Sequence, residues 1–386
     1  MSVTICLAPA QTIAYPHGGG HLWVYLQWAL GLRALGFRVI WLEGIDPRDP
    51  EHDPWEMVTT LKSRLQPHGL AESLALFSLN GEPLPPDVAE QALDLDAAAE
   101  ADLLLNLWHS LPASVVRHFR LTAFVDTDPG LMQIWMATGE IHMAPHDIYF
   151  TVGETVGTSA ARFPDCGLRW HYTPPPVFLP GWPPAQAESG APYTTVAHWW
   201  GGSVRFGGER FSNDKRAGFL EYAQLPGHTP VTLELAICLR HVYEEWRARL
   251  EPLGWKLRDA WDVSTTPEQY RAYIQRSRGE FSCAKPTYVK LATGWISDRT
   301  ICYLASGKPA VVQHTGPSRY LPYADGLFRF QNMDEAVHAL DQVESDYDRH
   351  CRLARALAEE YFDARLVVRR VLELALAERV GHPLAI

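Results

Sequence analysis

Residues 282–316 read SCAKPTYVKLATGWISDRTICYLASGKPAVVQHTG. Three cations, Lys285, Lys290 and Arg299, surround Ser297, a capping residue set directly before DRTICYLA. Ser297 starts a helix over Asp298–Ala305, and Ser306-Gly307 ends it. PAVVQ (309–313) follows as a short apolar, β-branched run, the pattern of a buried strand. Cationic loop, capped helix and buried strand, in that order, form a late βαβ unit of a parallel α/β sheet. The N–H groups at such a helix start favour an anion, and Lys and Arg add charge-assisted hydrogen bonds. The expected ligand is a nucleoside diphosphate, with Lys285, Lys290, Ser297 and Arg299 on its phosphates. Asp298, in the first turn, would accept from a ribose or sugar hydroxyl. The competing reading is a plain helix cap beside a solvated cationic face.

Outward from this stretch the same alternation continues. Thr194–Trp199, Val231–Ala236, Trp255–Asp259 and Glu280–Cys283 read as strands, with Leu327–Phe330 as a last short one. Helices are expected at Val242–Leu250 and Pro267–Ser277, and a helical tract over Asp334–Arg379. The first half reads the same way. Its strands are Val3–Ala8, Arg38–Leu42, Ala75–Ser78, Leu103–Leu107, Thr122–Val125 and Ile148–Val152, with helices at Leu22–Leu35 and near Asp87–Ala99. Thr173–Pro192 (TPPPVFLPGWPPAQAESGAP) is rich in Pro, Gly and Ala and reads as an extended, fairly stiff connector.

At 386 residues the chain fits two domains, each large enough to bury a core. A net charge of −11 argues against general nucleic-acid binding, which needs a basic surface. The six cysteines are scattered without paired spacing, which suggests free thiols, a reducing compartment and a cytoplasmic location. SVTICLAPA lacks a basic leader and reads as a first strand. No apolar run reaches the length of a transmembrane helix, so no integral membrane segment is expected.

GWISDRTICYLASGKPAVVQHTG (294–316), then Leu321-Pro322, GLFRF (326–330) and Glu335-Ala336, resembles the C-terminal domain of GT-B-fold glycosyltransferases. The resemblance covers roughly residues 194–370 and is strongest over 283–330. It implies an α/β fold of two Rossmann-like domains facing a cleft, with C-terminal helices. The expected division is an acceptor-binding domain at 1–178, a linker at 179–192 and a donor-binding domain at 193–386. The implied activity is metal-independent sugar transfer from a nucleoside-diphosphate sugar to a hydroxyl-bearing small molecule or glycan. No cofactor is expected beyond that donor, and the chain would be a monomer or homodimer. Many retaining enzymes of this fold carry two glutamates flanking this region. Here the stretch holds Asp298 and no such pair, so inversion is the expected outcome.

Four further constellations carry chemistry. Pro16–His21 (PHGGGH) follows the first strand, where parallel sheets bind ligands, and its glycines, Gly19 and Gly20 among them, permit close backbone approach. By resemblance this loop faces the donor phosphates, and His17 or His21 is a candidate general base. A tight turn with polar histidines is the plain alternative. Asp126 and Asp128 sit in VDTDPG at a strand end, Asp126 as a third base candidate and Asp128 toward the acceptor. Asp with Pro-Gly is equally a strong turn former. In HWWGG (198–202), Gly201 and Gly202 are candidates for approach to the donor, with Asn213, Lys215 and Arg216 shortly after. His109 and Glu154 lie at other strand ends, His109 as an acceptor-site candidate, and Thr315 and Gly316 close the donor stretch. No His, Cys or acidic cluster has the spacing of a metal site.

Two rival functions remain on sequence alone. One is a sugar-nucleotide epimerase of the same fold. The other is a non-catalytic protein that binds a nucleotide sugar.

Overall fold

The computed structural model describes residues 3–239, 242–323 and 325–380. The terminal residues of the expected 193–386 unit therefore lie outside the described residues.

Seven strands form the first sheet: β1 (Thr4–Ala8), β2 (Arg38–Ile45), β3 (Leu74–Ser78), β4 (Leu103–Asn106), β5 (Thr122–Asp126), β6 (Ile148–Thr151) and β7 (Trp170–Tyr172). Their order is β3-β2-β1-β4-β5-β6-β7, with every pairing parallel. The second half adds β8 (Tyr193–Ala197), β9 (Ser203–Phe206), β10 (Glu209–Ser212), β11 (Leu233–Ile237), β12 (Lys256–Asp259), β13 (Gly279–Ser282), β14 (Ala310–Gln313) and β15 (Leu327–Phe330). Six of these form a second parallel sheet, β12-β11-β8-β13-β14-β15. Counted within each half and leaving out β9 and β10, both sheets follow 3-2-1-4-5-6, the doubly wound order of Rossmann-type domains, and the first adds a seventh strand at its edge.

Parallel strands covered by helices are buried on both faces, which is why they read as apolar runs rather than alternations. Ile5, Cys6, Leu7 and Ala8 of β1 are all fully buried, as are Leu103, Leu104 and Leu105 of β4. The second sheet packs its own core around Tyr193, Trp199, Leu235, Trp255 and Phe281.

Three elements depart from expectation. The first helix spans Gly19–Ala34, so Gly19, Gly20 and His21 form its opening turn instead of a free loop. Asp87–Ala99 resolves into two short helices, Pro86–Ala89 and Leu95–Ala99. An antiparallel hairpin, β9–β10, projects from the second half. Its two-residue turn is Gly207-Gly208, both at positive φ (59° and 83°), as such turns require. Val204 and Phe211 of the hairpin pack with Leu131, Ile134 and Phe163 from the first half.

The C-terminal helices divide between the halves. Met333–Ser345 packs on the second core through Ala336, Leu340 and Val343. The last helix, Ala364–Val380, instead returns to the first half and packs on Gly19–Ala34. Gly31 makes that approach possible, since a Cβ there would lie 2.8 Å from the Cβ of Ala364. The returning chain is fastened to the outgoing one. Val177 N donates to Phe362 O (2.7 Å) and Ala364 N to Val177 O (2.9 Å). The expected connector is only partly extended: Leu179–Gly181 form a 3-10 turn, and Trp182 is fully buried between Trp23 and Tyr270.

Candidate functional site

In each sheet the strand order reverses beside its first strand, between β1 and β4 and between β8 and β13. Ligands of open parallel sheets bind beyond the carboxyl ends of the strands at that reversal. The loops leaving those ends hold His17 and Gly18, His109, Gly201 and Gly202, and Lys285. The two sets of loops meet. Gly19 N donates to Ser264 O (2.8 Å), and Lys285 Nζ lies 3.5 Å from Asp128 Oδ1. Thr155 N donates to Thr293 O (3.3 Å), and Gly153 bridges to Trp295. Glu154, a strand-end residue, accepts from Ser318 Oγ and Arg319 N across the same boundary.

On the second-half wall, Lys215 opens the helix Lys215–Glu221 and is 8% exposed. Its ammonium has no hydrogen-bond or ion-pair partner among the described residues. Burial, and then the nearby Arg299, push its pKa well below the usual lysine value, while Glu280 pulls the other way. Lys285 adds a second like charge within reach. A buried, unpaired cation beside another cation is costly unless an anion joins it. Asp298 stands at the start of the Asp298–Ala305 helix, capped by Ser297 Oγ accepting from Arg299 N (3.2 Å). Burial raises the Asp298 pKa, opposed by Arg299 and Lys215.

On the first-half wall, Asp128 accepts from the Tyr288 hydroxyl as well as from Lys285. His109 is half-buried beside Trp135 (ring centroids 6.3 Å apart). Burial lowers its pKa, with Asp128 drawing it back up. Tyr25 is buried where both walls converge, within electrostatic reach of Glu43, Asp128 and Asp298.

Several expected ligands do other work. Arg299 is 7% exposed and all three of its guanidinium nitrogens are engaged. Nε donates to Glu280 (2.7 Å), Nη2 to Ser282 Oγ (2.7 Å) and Nη1 to Val196 O (3.1 Å). It is a strut beneath the site, not a free phosphate ligand. Lys290 is exposed at the far end of the Pro286–Lys290 helix, away from Lys285. His21 Nε2 donates to Ala10 O (2.9 Å) between Tyr15 and Tyr25, and burial lowers its pKa. Asp126 is fully buried, and both oxygens accept: from Asp128 N (2.9 Å), Gln133 Nε2 (2.8 Å) and Thr151 Oγ1 (2.8 Å). Burial raises it to about 6, and it organises the turn that presents Asp128. His17 alone of the three base candidates is exposed, its ring 5.0 Å from that of Trp261.

The glycines serve the domain contact more than a ligand. A Cβ on Gly19 would lie 2.2 Å from Thr266 O, and one on Gly20 2.7 Å from the Tyr270 ring. Gly201 is pressed against Asn213 O, whereas Gly202 has open space around it. Thr315 donates to Trp295 O (2.5 Å), and a Cβ on Gly316 would meet Ala292 O at 2.7 Å, so this pair closes the 292–295 turn. Tyr25, Tyr288 and Glu280 belong to the site's framework yet read in sequence as part of a helix, a loop and a strand. Among the described residues no group of three or more His, Cys, Asp or Glu could hold a metal ion, and no helix is long and apolar enough to cross a membrane.

The fold is shared with solved glycosyltransferases. HepE from Anabaena, solved with UDP-glucose, is 15% identical, with a TM-score of 0.55 over 97% of this chain and 99% of that one. A glycosyltransferase from Rickettsia africae is 12% identical, with a TM-score of 0.56 over 99% and 100%. An alpha-glucosyltransferase solved with UDP and a mismatched DNA 13-mer is 9% identical, with a TM-score of 0.55 over 97% and 99%. No protein-family model and no curated protein matches. The chain therefore has the GT-B fold, two doubly wound α/β sheets with a cleft between them.

Proposed function

We propose that this chain is a glycosyltransferase that moves a sugar from a nucleoside-diphosphate sugar to a hydroxyl-bearing acceptor in the cleft. The observation that carries this reading is Lys215, a nearly buried ammonium without a partner among the described residues, at the crevice end of a sheet. A diphosphate is the ligand that best answers it. Lys285 joins from the neighbouring strand end, and the N–H groups of the Asp298–Ala305 helix supply a further positive field. Together they would stabilise the charge that builds on the leaving diphosphate, the main electrostatic demand of the reaction. Asp298 would accept from a donor hydroxyl.

The acceptor would lie against Asp128 and His109. His109, its pKa lowered by burial, would take the acceptor proton in an inverting displacement, with the exposed His17 as the second candidate. Side-chain cations rather than a metal ion would carry the phosphate charge, and the protein would act in the cytoplasm. The net charge of −11 favours a small-molecule or glycan acceptor over DNA. The shared fold of three glycosyltransferases favours transfer over epimerisation.

Calorimetric titration with a panel of nucleoside diphosphates tests the reading. One of them should bind to wild type and bind roughly tenfold to a hundredfold more weakly to Lys215→Met. If the panel binds both proteins alike, or neither, the donor site is not here. Anomeric configuration of the product, read by NMR, tests inversion.

A further inference from the structure

A second cationic site lies at the opposite end of the Asp298–Ala305 helix. There a groove of about 840 Å³ opens between residues 184–187 of the connector and the Tyr347–Leu357 helix. Three arginines line it. Arg278 is paired with Glu344 (2.7 Å) and Arg355 with Glu359 (2.7 Å). Arg352 is exposed and has no hydrogen bond or ion pair among the described residues. Asp348 is the acidic member of the lining.

Under the arginines two polar groups are sealed from solvent without partners. Lys308 is fully buried, and its Nζ finds no hydrogen-bond partner among the described residues. It lies within electrostatic reach of Arg278 and Cys351, both on the groove wall. Burial lowers this ammonium to about 8. Ser306, also on the wall, is fully buried with an unpartnered Oγ. Buried polar groups are almost always hydrogen-bonded, and a buried cation almost always paired. Two such groups two residues apart lie beside a groove with an arginine that has no ion pair among the described residues.

We propose that this groove binds a small phosphate-bearing metabolite. Its anionic oxygens meet Arg352 on the groove surface and draw out Lys308 Nζ and Ser306 Oγ, sealed behind the wall here, while its uncharged body rests on Pro184, Ala185 and Tyr347. The site stands apart from the donor cleft and does not depend on the function proposed for it.

Titration of the full-length protein with inorganic pyrophosphate by calorimetry is the test. Wild type should show two saturable events. Lys308→Met should abolish one, Arg352→Gln should weaken that same event about tenfold, and Lys215→Met should remove the other. Arg352 is exposed, so its variant keeps the test alive should Lys308→Met fail to fold. Wild-type titrations in both groove variants, or a single event that vanishes in Lys215→Met, would overturn the proposal. Two events of which Lys308→Met removes one and Lys215→Met neither would leave the groove standing and sink the donor reading.

Discussion

Lys285 Nζ sits 3.5 Å from Asp128 Oδ1 and thereby links the second sheet to the first. Both side chains are part-exposed, 29% and 49%, so water screens the pair. Pairs of this kind contribute about 1 kcal/mol or less. Lys285 can therefore leave Asp128 for a diphosphate at small cost, and the contact works as a placeholder more than a brace. Asp128→Asn frees the lysine and removes a like charge from the ligand's path. We expect nucleoside-diphosphate affinity to rise about threefold while turnover of the acceptor falls. Calorimetry and initial rates check the two halves, and an unchanged affinity would detach Lys285 from the phosphate site.

Lys215 makes the stronger demand. A charge-assisted hydrogen bond to phosphate is worth about 1.5–3 kcal/mol, so Lys215→Met should weaken diphosphate binding roughly tenfold to a hundredfold. The same change takes an unpaired cation out of a buried position. Its melting temperature should hold or rise. A fall in stability together with unchanged binding would make Lys215 a structural residue.

Arg299 and Glu280 predict the opposite pattern. Their 2.7 Å pair is buried, and Glu280 Oε2 has no other partner among the described residues. Removing one member of a buried pair costs about 3–5 kcal/mol, because the other charge is stranded. Arg299→Leu should lose about that much in urea denaturation, and adding Glu280→Gln should recover a large part of it. Equal loss in the single and double variants would show that the pair is not what holds this strand to its helix.

Glu43 supplies a pH test. It is 1% exposed, its Oε1 accepts from Thr12 N (3.1 Å) and Trp41 Nε1 (3.0 Å), and its Oε2 has no partner among the described residues. Burial raises its pKa to about 7. The folded state thus holds this proton more tightly than the unfolded chain does. Its contribution to stability is full below the unfolded carboxyl value, falls as pH rises, and is lost above about 7. Glu43→Gln should therefore match wild type near pH 4 and exceed it at pH 8 by on the order of 3 kcal/mol. Chemical denaturation at the two pH values measures this. A stability difference that does not change with pH would show that the carboxyl titrates normally.

The parallel strands were legible because burial on both faces turns them into apolar runs that need no partner to be recognised. Thr122–Val125 and Leu327–Phe330 were read from sequence almost as they fold. The hairpin escaped because β9 and β10 are four residues each and alternate with arginines. Lys215 and Lys285 could be found from position, since both follow strand ends. Arg299 could not be assigned from position. Its neighbours in sequence suggest a phosphate, but its partner Glu280 lies nineteen residues earlier on the adjoining strand. Asp126 and His21 failed as base candidates for the same reason. The groups that saturate them, Thr151 and Ala10 O, are supplied by folding and not by the local pattern.

The return of Ala364–Val380 to the Gly19–Ala34 helix bears on how the chain is made. Two helices far apart in sequence, Gly19–Ala34 and Ala364–Val380, together cover the first core, so that layer is complete only once the chain has been made through residue 380. Domains fold as units during synthesis, the N-terminal one first as a rule, and here the first half must wait for a helix made after the whole second sheet to finish its outer layer. The finished protein then carries its inner body on two crossings, at 177 and 363, hydrogen-bonded side by side. Because the two crossings lie hydrogen-bonded side by side, everything between residues 177 and 363 is joined to the first half through one covalent seam instead of two separate ones.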